Sequence, residues 1–209
     1  MSKLMKILIP SLLLLLATSQ AQAYMTILES GELVPARMSR IGAISQIVTN
    51  DSSGLNADVT YDAGWNESSS SRFVLGAGKM DIHMGGTFKW IPFPDVARQP
   101  ALGLRSAIWY ARYKDESYMT FSVAPLMSKK VEDPLGLFVP YVALPISFTL
   151  NRHKNFFGQQ FVIGSEFTTK RAPLFSFAAE LALNLKDSYS YIAAFVSYQF
   201  DGKVGLPLR

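Results

Sequence analysis

Large apolar residues alternate with small or polar residues along most of this chain. In residues 173–185, for example, Phe177 and Leu181 share one face of an extended strand, whereas Glu180 and Asn184 share the other. A period of two is that of a β-strand, whose successive side chains point to opposite faces. Helical spacing of apolar residues does not persist anywhere beyond the first 23 residues. The pattern therefore predicts an all-β domain.

Short polar segments with turn chemistry, such as Asn50–Gly54 and Asp133–Gly136, separate the alternating stretches. They divide the chain into ten predicted strands, at 38–49, 54–65, 70–78, 80–92, 100–113, 117–129, 136–151, 156–169, 173–185 and 188–200. Only Gly78-Lys79 separates the third stretch from the fourth, and merging these two would leave nine, so that another strand would have to merge or appear. Eight strands are the alternative, because small barrels of this length often have eight. Pro140 and Pro145 are unusual inside a predicted strand, since each removes a backbone donor.

The less apolar face indicates the environment of these strands. In a soluble barrel this face would meet water and would be rich in Lys and Glu. Here it consists mostly of Gly, Ala, Ser and Thr with single charges among them, as in the interior of a narrow membrane barrel. Aromatic residues lie near the predicted strand ends, as at a membrane interface: Trp65, Trp90, Tyr110, Phe138, Phe157, Tyr198 and Phe200. A secreted soluble barrel that binds an apolar ligand is the alternative.

The N-terminus predicts export. Lys3 and Lys6 precede an apolar run at 7–17, and Ala21-Gln22-Ala23 is a small-x-small cleavage sequence, so residues 1–23 are interpreted as a cleaved signal peptide. Removing them from the 209 residues leaves 186 and lowers the net charge from +4 to +2, because two lysines leave. That charge is too small to predict a nucleic-acid partner. The chain has no Cys, which excludes disulfides and cysteine-bound metals.

Taken together, these features resemble bacterial outer-membrane β-barrel proteins. The resemblance covers the signal, the strand series and the closing Tyr198-x-Phe200, which is similar to the signal recognised by the barrel-assembly machinery. In that family the aromatic residue usually ends the chain, whereas here residues 201–209 follow it as a short tail. The resemblance implies an antiparallel up-and-down transmembrane barrel over 24–200, with outer-membrane lipids and the assembly machinery as partners.

If the apolar faces point outward, a set of polar residues must point into the barrel. These predicted interior residues are Asp58, Asp62, Arg72, Asp81, His83, Lys89, Arg105, Glu166 and Glu180. Charges in a narrow interior need partners, so the primary hypothesis is a network that fills the barrel and gives it a structural or interaction role. A narrow solute or ion pore is the alternative.

An enzyme is the third hypothesis and would depend on His83. Asp81 lies two residues away on the same predicted face and could orient the imidazole, with Thr87 or Ser106 as a nucleophile. The arrangement is unlike that of the outer-membrane lipid A deacylases and palmitoyltransferases. We therefore expect no catalytic activity, no cofactor and no metal site.

Overall fold

The structure is a computed structural model that describes residues 26–50, 53–153 and 155–201. The predicted signal peptide and most of the predicted tail lie outside these residues. The described residues form twelve strands, namely β1 (Met38–Val48), β2 (Gly54–Asn66), β3 (Ser69–Gly78), β4 (Ile82–Phe93), β5 (Ala101–Tyr113), β6 (Glu116–Ser128), β7 (Val131–Asp133), β8 (Gly136–Ala143), β9 (Ile146–Leu150), β10 (Phe156–Thr169), β11 (Phe175–Lys186) and β12 (Tyr191–Asp201). No helix within the described ranges is long and apolar enough to cross a membrane.

The strands form one closed antiparallel barrel. Neighbouring positions around the wall pair antiparallel, and β1 pairs with β12 from Met38↔Asp201 to Val48↔Tyr191, so the wall of the barrel closes on itself. In a membrane this closure is required, because lipid offers no partner to an unpaired backbone group.

The described strands occupy ten positions around the barrel, as the alternation predicts. Strands β8 and β9 share one position, since both pair with β6 on one side and β10 on the other. The interruption falls at Leu144–Pro145, where Pro145 has no N–H and its carbonyl accepts a hydrogen bond from the Gln160 N–H at 3.1 Å. The short β7 forms a hairpin with β8 that the alternation does not predict, because three residues are too few to show a period.

Both ends of the barrel have short connections. We call the end where β1 begins and β12 ends the proximal end, and the opposite end the distal end. The distal connections have two to five residues, and the longest proximal ones, 94–100 and 129–135, have seven. Within the described residues, no connection between the strands of the wall is therefore longer than seven residues.

The barrel is apolar outside and polar inside. Among the outward residues, Ile163 is 47% exposed and Phe177 is 44% exposed, whereas the inward Lys89 and Arg72 are 1% and 2% exposed. A soluble barrel has the opposite distribution. The alternative of a secreted soluble barrel is therefore wrong, and the chain has the architecture of an integral membrane barrel.

Aromatic side chains collect at the proximal rim of this apolar surface. Trp65 is 66% exposed and its indole N–H donates to Ser71 Oγ at 2.8 Å, while Phe175 and Tyr198 pack with ring centroids 5.2 Å apart. Amphipathic rings of this kind prefer the boundary between hydrocarbon and headgroups.

The inside-out distribution predicts how charged substitutions depend on depth. Ile163 lies midway along β10, so Ile163→Arg should destabilise the barrel by about 2–4 kcal/mol, because it places a cation at the centre of the bilayer. Leu185→Arg, one residue from the distal end of β11, is the matched control and should cost about 0–1 kcal/mol. Unfolding by urea in lipid vesicles measures both, and equal effects would contradict the membrane orientation.

Candidate functional site: the filled barrel interior

The interior of the barrel contains the N-terminal segment of the described chain. Residues 26–34, which we call the plug segment, precede β1 without regular secondary structure and lie inside the barrel wall. Thr26, Ile27, Leu28, Glu29 and Ser30 are each no more than 3% exposed. The strand pattern does not predict this segment, because the segment has no period of its own.

Glu29 brings the plug segment into contact with three basic side chains. Its carboxylate accepts a hydrogen bond from Arg105 Nε at 2.8 Å, and it lies 3.5 Å from Lys89 Nζ and 4.0 Å from Arg72 Nε. These bases come from three neighbouring strands, β5, β4 and β3. One carboxylate of the plug segment therefore neutralises a cationic stretch of the barrel wall.

A second set of ion pairs surrounds Asp62. Its two oxygens accept hydrogen bonds from Arg40 Nε at 2.7 Å and from Arg72 Nε and Nη2 at 2.7 and 2.9 Å. Arg40 also donates to Glu166 at 2.8 Å, and the Phe195 ring lies 4.6 Å from the guanidinium carbon of Arg72. Charged and aromatic groups thus satisfy one another across β1, β2, β3, β10 and β12.

Glu180 binds the plug segment without a cation. Its two oxygens accept hydrogen bonds from the backbone N–H groups of Ile27 at 3.1 Å and Leu28 at 2.6 Å. The hydroxyls of Tyr141 and Tyr191 donate to the same carboxylate, each at 2.6 Å. Leu28 has a φ of 44°, a left-handed conformation that costs free energy for a residue other than glycine. The hydrogen bonds from the Ile27 and Leu28 N–H groups hold the backbone in this conformation, and the two tyrosines hold the Glu180 carboxylate in place.

The barrel wall also binds the carbonyl groups of the plug segment. Arg72 Nη1 donates to the carbonyls of Ile27 and Leu28 at 3.5 and 3.2 Å, and Lys89 Nζ donates to those of Ser30 and Glu32 at 3.0 and 2.6 Å. The plug segment also donates hydrogen bonds to side chains of the wall. The Gly31 N–H donates to Ser128 Oγ at 3.0 Å, and Ser30 Oγ donates to Glu166 at 2.8 Å. A buried segment without secondary structure needs such partners for its peptide groups.

His83 pairs with Asp58 deeper in the barrel. His83 Nε2 and Asp58 Oδ1 are in direct contact, and neither side chain is exposed. Gly76 lies beside the pair, where a Cβ atom would collide with both side chains. Glycine at this position therefore makes room for the pair in the wall.

Uncharged side chains fill most of the distal half of the interior. Asn56 donates to Gln46 at 2.8 Å, and this half also contains buried apolar and aromatic residues. These are Val48, Val74, Met80, Trp109, Phe156, Val162, Tyr189 and Tyr191. The proximal half thus holds the plug segment and most of the charges, whereas the distal half is packed like a protein core and contains the His83–Asp58 pair.

Eight of the nine predicted interior residues lie inside the barrel. Asp81 does not, because β4 begins at Ile82 and Asp81 belongs to the distal turn, where its exposed carboxylate accepts a hydrogen bond from the Lys114 N–H at 3.1 Å. The expected pairing of Asp81 with His83 is therefore replaced by Asp58 with His83.

The sequence interpretation missed two charged interior residues, Arg40 and Glu29. Arg40 follows the inward period of β1 and could have been found from the alternation. Glu29 precedes the first strand, where no period assigns a face. Among the described residues, the interior contains five acids and four bases besides His83. These are Glu29, Asp58, Asp62, Glu166 and Glu180, with Arg40, Arg72, Lys89 and Arg105.

The two candidate nucleophiles lie on opposite faces of the barrel wall, because Thr87 is buried on the same inward face of β4 as His83 and Ser106 is not. Ser106 points to the outer face, where its hydroxyl donates to the Phe88 carbonyl at 3.4 Å, whereas His83 is fully buried inside. Within the ranges that the structure describes, no group of three or more His, Cys, Asp or Glu side chains could hold a metal ion. The arrangement supports packing and charge neutralisation.

The chain has matches among solved structures but none in sequence. No protein-family model matches the chain, and no curated protein sequence matches it. Among the solved structures that match is Ail, the attachment invasion locus protein of Yersinia pestis, with 9% sequence identity and a TM-score of 0.29. The match covers 79% of this chain and 99% of that one. At this TM-score the likeness carries no argument, so the fold assignment depends on the closure of the barrel and its inside-out surface.

The contacts of Glu29 predict a large effect of its neutralisation. Glu29→Gln leaves Arg105, Lys89 and Arg72 without their shared carboxylate, and it should destabilise the barrel by about 3–5 kcal/mol. Glu67→Gln, at the exposed turn between β2 and β3, is the control and should change stability by less than about 0.5 kcal/mol. Urea unfolding followed by tryptophan fluorescence measures both. Similar stability of the two variants would contradict the structural role of Glu29.

Proposed function

We propose that this chain is an integral outer-membrane β-barrel that is filled by its own N-terminal segment and has a structural or interaction role. The plug segment and its contacts with Glu180, Arg72 and Lys89 carry this proposal. Its peptide groups are bonded on both the N–H and the C=O side by the barrel wall. A segment bonded in this way is a part of the folded interior, so we do not expect free passage of solutes.

The packing of the distal half supports the same proposal. Trp109 and Tyr191 belong to the buried cluster and are each no more than 1% exposed. Ile27 and Leu28 of the plug segment belong to the same cluster, so the plug segment and the distal side chains close the interior together. The proposal includes no catalytic activity, since His83 is buried against Asp58.

We also propose a bacterial outer membrane as the location of this barrel. The predicted signal peptide supports export, and the apolar outer surface supports contact with lipids. Strand β12 has Tyr198 on its outer face and reaches Asp201, so the predicted assembly signal lies on the strand that closes the barrel against β1. Recognition by the barrel-assembly machinery is part of this proposal.

Conductance in planar bilayers tests the plug segment. The native protein should show no current steps, whereas a variant that lacks residues 26–34 should conduct, because water would fill the proximal interior and the space that Ile27 and Leu28 leave in the buried cluster. Heat-modifiable migration in a detergent gel shows whether that variant still forms a barrel.

A disulfide lock keeps the test informative if the shortened variant does not fold. A Cβ atom at position 31 would lie 3.6 Å from the Cβ of Ser128, within the range of a disulfide, and the chain has no other cysteine. Gly31→Cys with Ser128→Cys should be silent when oxidised, with the two single variants as controls. Current through the oxidised double variant would overturn the proposal and favour the narrow pore. Current that appears only after reduction would show that the plug segment moves.

Substitutions in β12 test the proposed assembly signal. Tyr198→Ala with Phe200→Ala should reduce the heat-modifiable protein in the outer-membrane fraction. Phe121→Ala with Phe148→Ala is the matched control, since both of these aromatic side chains are exposed on the outer surface, on strands β6 and β9 away from the closing strand. Equal losses in the two pairs would show that aromatic content matters and that the closing strand has no special recognition role.

A further inference from the structure

The outer surface of the barrel has a groove centred on Gly86. The register places Gly86 between Phe73 of β3 and Ile108 of β5, and a Cβ atom at Gly86 would meet nothing within 4 Å. In the adjacent row, Phe88 lies between Ser71 and Ser106. The missing and short side chains leave a groove of about 540 Å³ with aromatic and aliphatic walls.

The groove lies at acyl-chain depth below the distal rim. Ile108 and Arg112 are four residues apart on β5, which corresponds to about 14 Å along the strand and about 10 Å along the membrane normal at the usual tilt. One leaflet of the hydrocarbon core is about 15 Å thick. With Arg112 at the headgroup level, the side of the groove formed by Ile108 and Gly86 therefore lies at the depth that an acyl chain of the distal leaflet reaches.

A polar cleft at the distal rim lies above the groove on the same strand. The cleft has a volume of about 300 Å³, and its lining includes Arg112, Arg152 and His153. Arg112 uses Nη2 to bind Asp115 at 3.0 Å, which leaves other guanidinium N–H groups to donate. The remaining carboxylate in the lining, Glu116, accepts hydrogen bonds from Tyr118 Oη at 2.6 Å and Asn151 Nδ2 at 2.9 Å. Both acids thus have partners within the protein.

We propose that these two features together bind one phosphate-bearing lipid of the distal leaflet. Its phosphate contacts Arg112 and Arg152 in the cleft, and one acyl chain lies in the groove at Gly86. Arginine suits this role because its planar guanidinium donates two parallel hydrogen bonds to phosphate oxygens. The site requires the membrane barrel but not the plug segment, so a conducting barrel would leave it unchanged.

Filling the groove tests the acyl-chain contact. Gly86→Phe adds a side chain where no atom lies, so the barrel should fold while the groove is lost. Ala179→Phe, at an exposed outward position of β11, is the matched control. Native mass spectrometry after reconstitution with phosphatidylglycerol and transfer to detergent measures the retained lipid. Each buried methylene contributes about fourfold to an association constant, so we expect Gly86→Phe to lower retention about tenfold or more and Ala179→Phe to leave it unchanged.

A second pair of variants tests the phosphate contact. Arg112→Gln with Arg152→Gln should lower retention of phosphatidylglycerol, whereas Arg171→Gln, at the proximal end, should not. Diacylglycerol, which has the same chains without phosphate, should be retained poorly by the native protein. The proposal is overturned if Gly86→Phe retains as much phosphatidylglycerol as the native protein, if Ala179→Phe loses as much as Gly86→Phe, or if diacylglycerol is retained equally well.

Discussion

Hydrocarbon offers no hydrogen-bond partner to a peptide group, and this constraint determines how the chain is organised. Only closure of the sheet pairs every strand edge, and the eleven paired positions between β1 and β12 provide that closure. A closed sheet has one face toward lipid and one toward its interior. Apolar side chains such as Ile163 and Phe177 therefore point outward, while Arg72 and Glu180 point inward.

The same constraint applies again inside the barrel. Eight strands enclose a space that side chains can fill, and ten enclose a wider one. Here a chain segment occupies the additional space, and it brings peptide groups that also need partners. Glu180 binds N–H groups of this segment, while Arg72 and Lys89 bind its carbonyls. Several buried charged side chains thus form hydrogen bonds with the peptide groups of the plug segment as well as ion pairs with one another. In an apolar interior these peptide groups would have no hydrogen-bond partners.

The period of two was sufficient to predict the strands and the direction of most side chains. It placed Asp62, Lys89 and Glu166 inside because each lies well within a strand. It failed for Asp81, which has the right parity but lies beyond the end of β4, where the chain turns. It could not reach Glu29, because a segment that is bound by side chains has no repeating pattern. The partners of each charge, such as Asp58 for His83, depend on register between strands and are not encoded locally.

The charge balance of the interior bears on what the barrel could do without its plug segment. Glu29 is the acid that this segment contributes among the described interior residues. The wall itself then contains four acids, Asp58, Asp62, Glu166 and Glu180, and four bases, Arg40, Arg72, Lys89 and Arg105. Since these charges cancel, an open interior would have no strong field to select ions of one sign. The positive and negative charges of the wall are nevertheless unevenly distributed, because three bases face Glu29. That local cationic stretch is what retains the plug segment, so the charges of this barrel are arranged to bind its own chain.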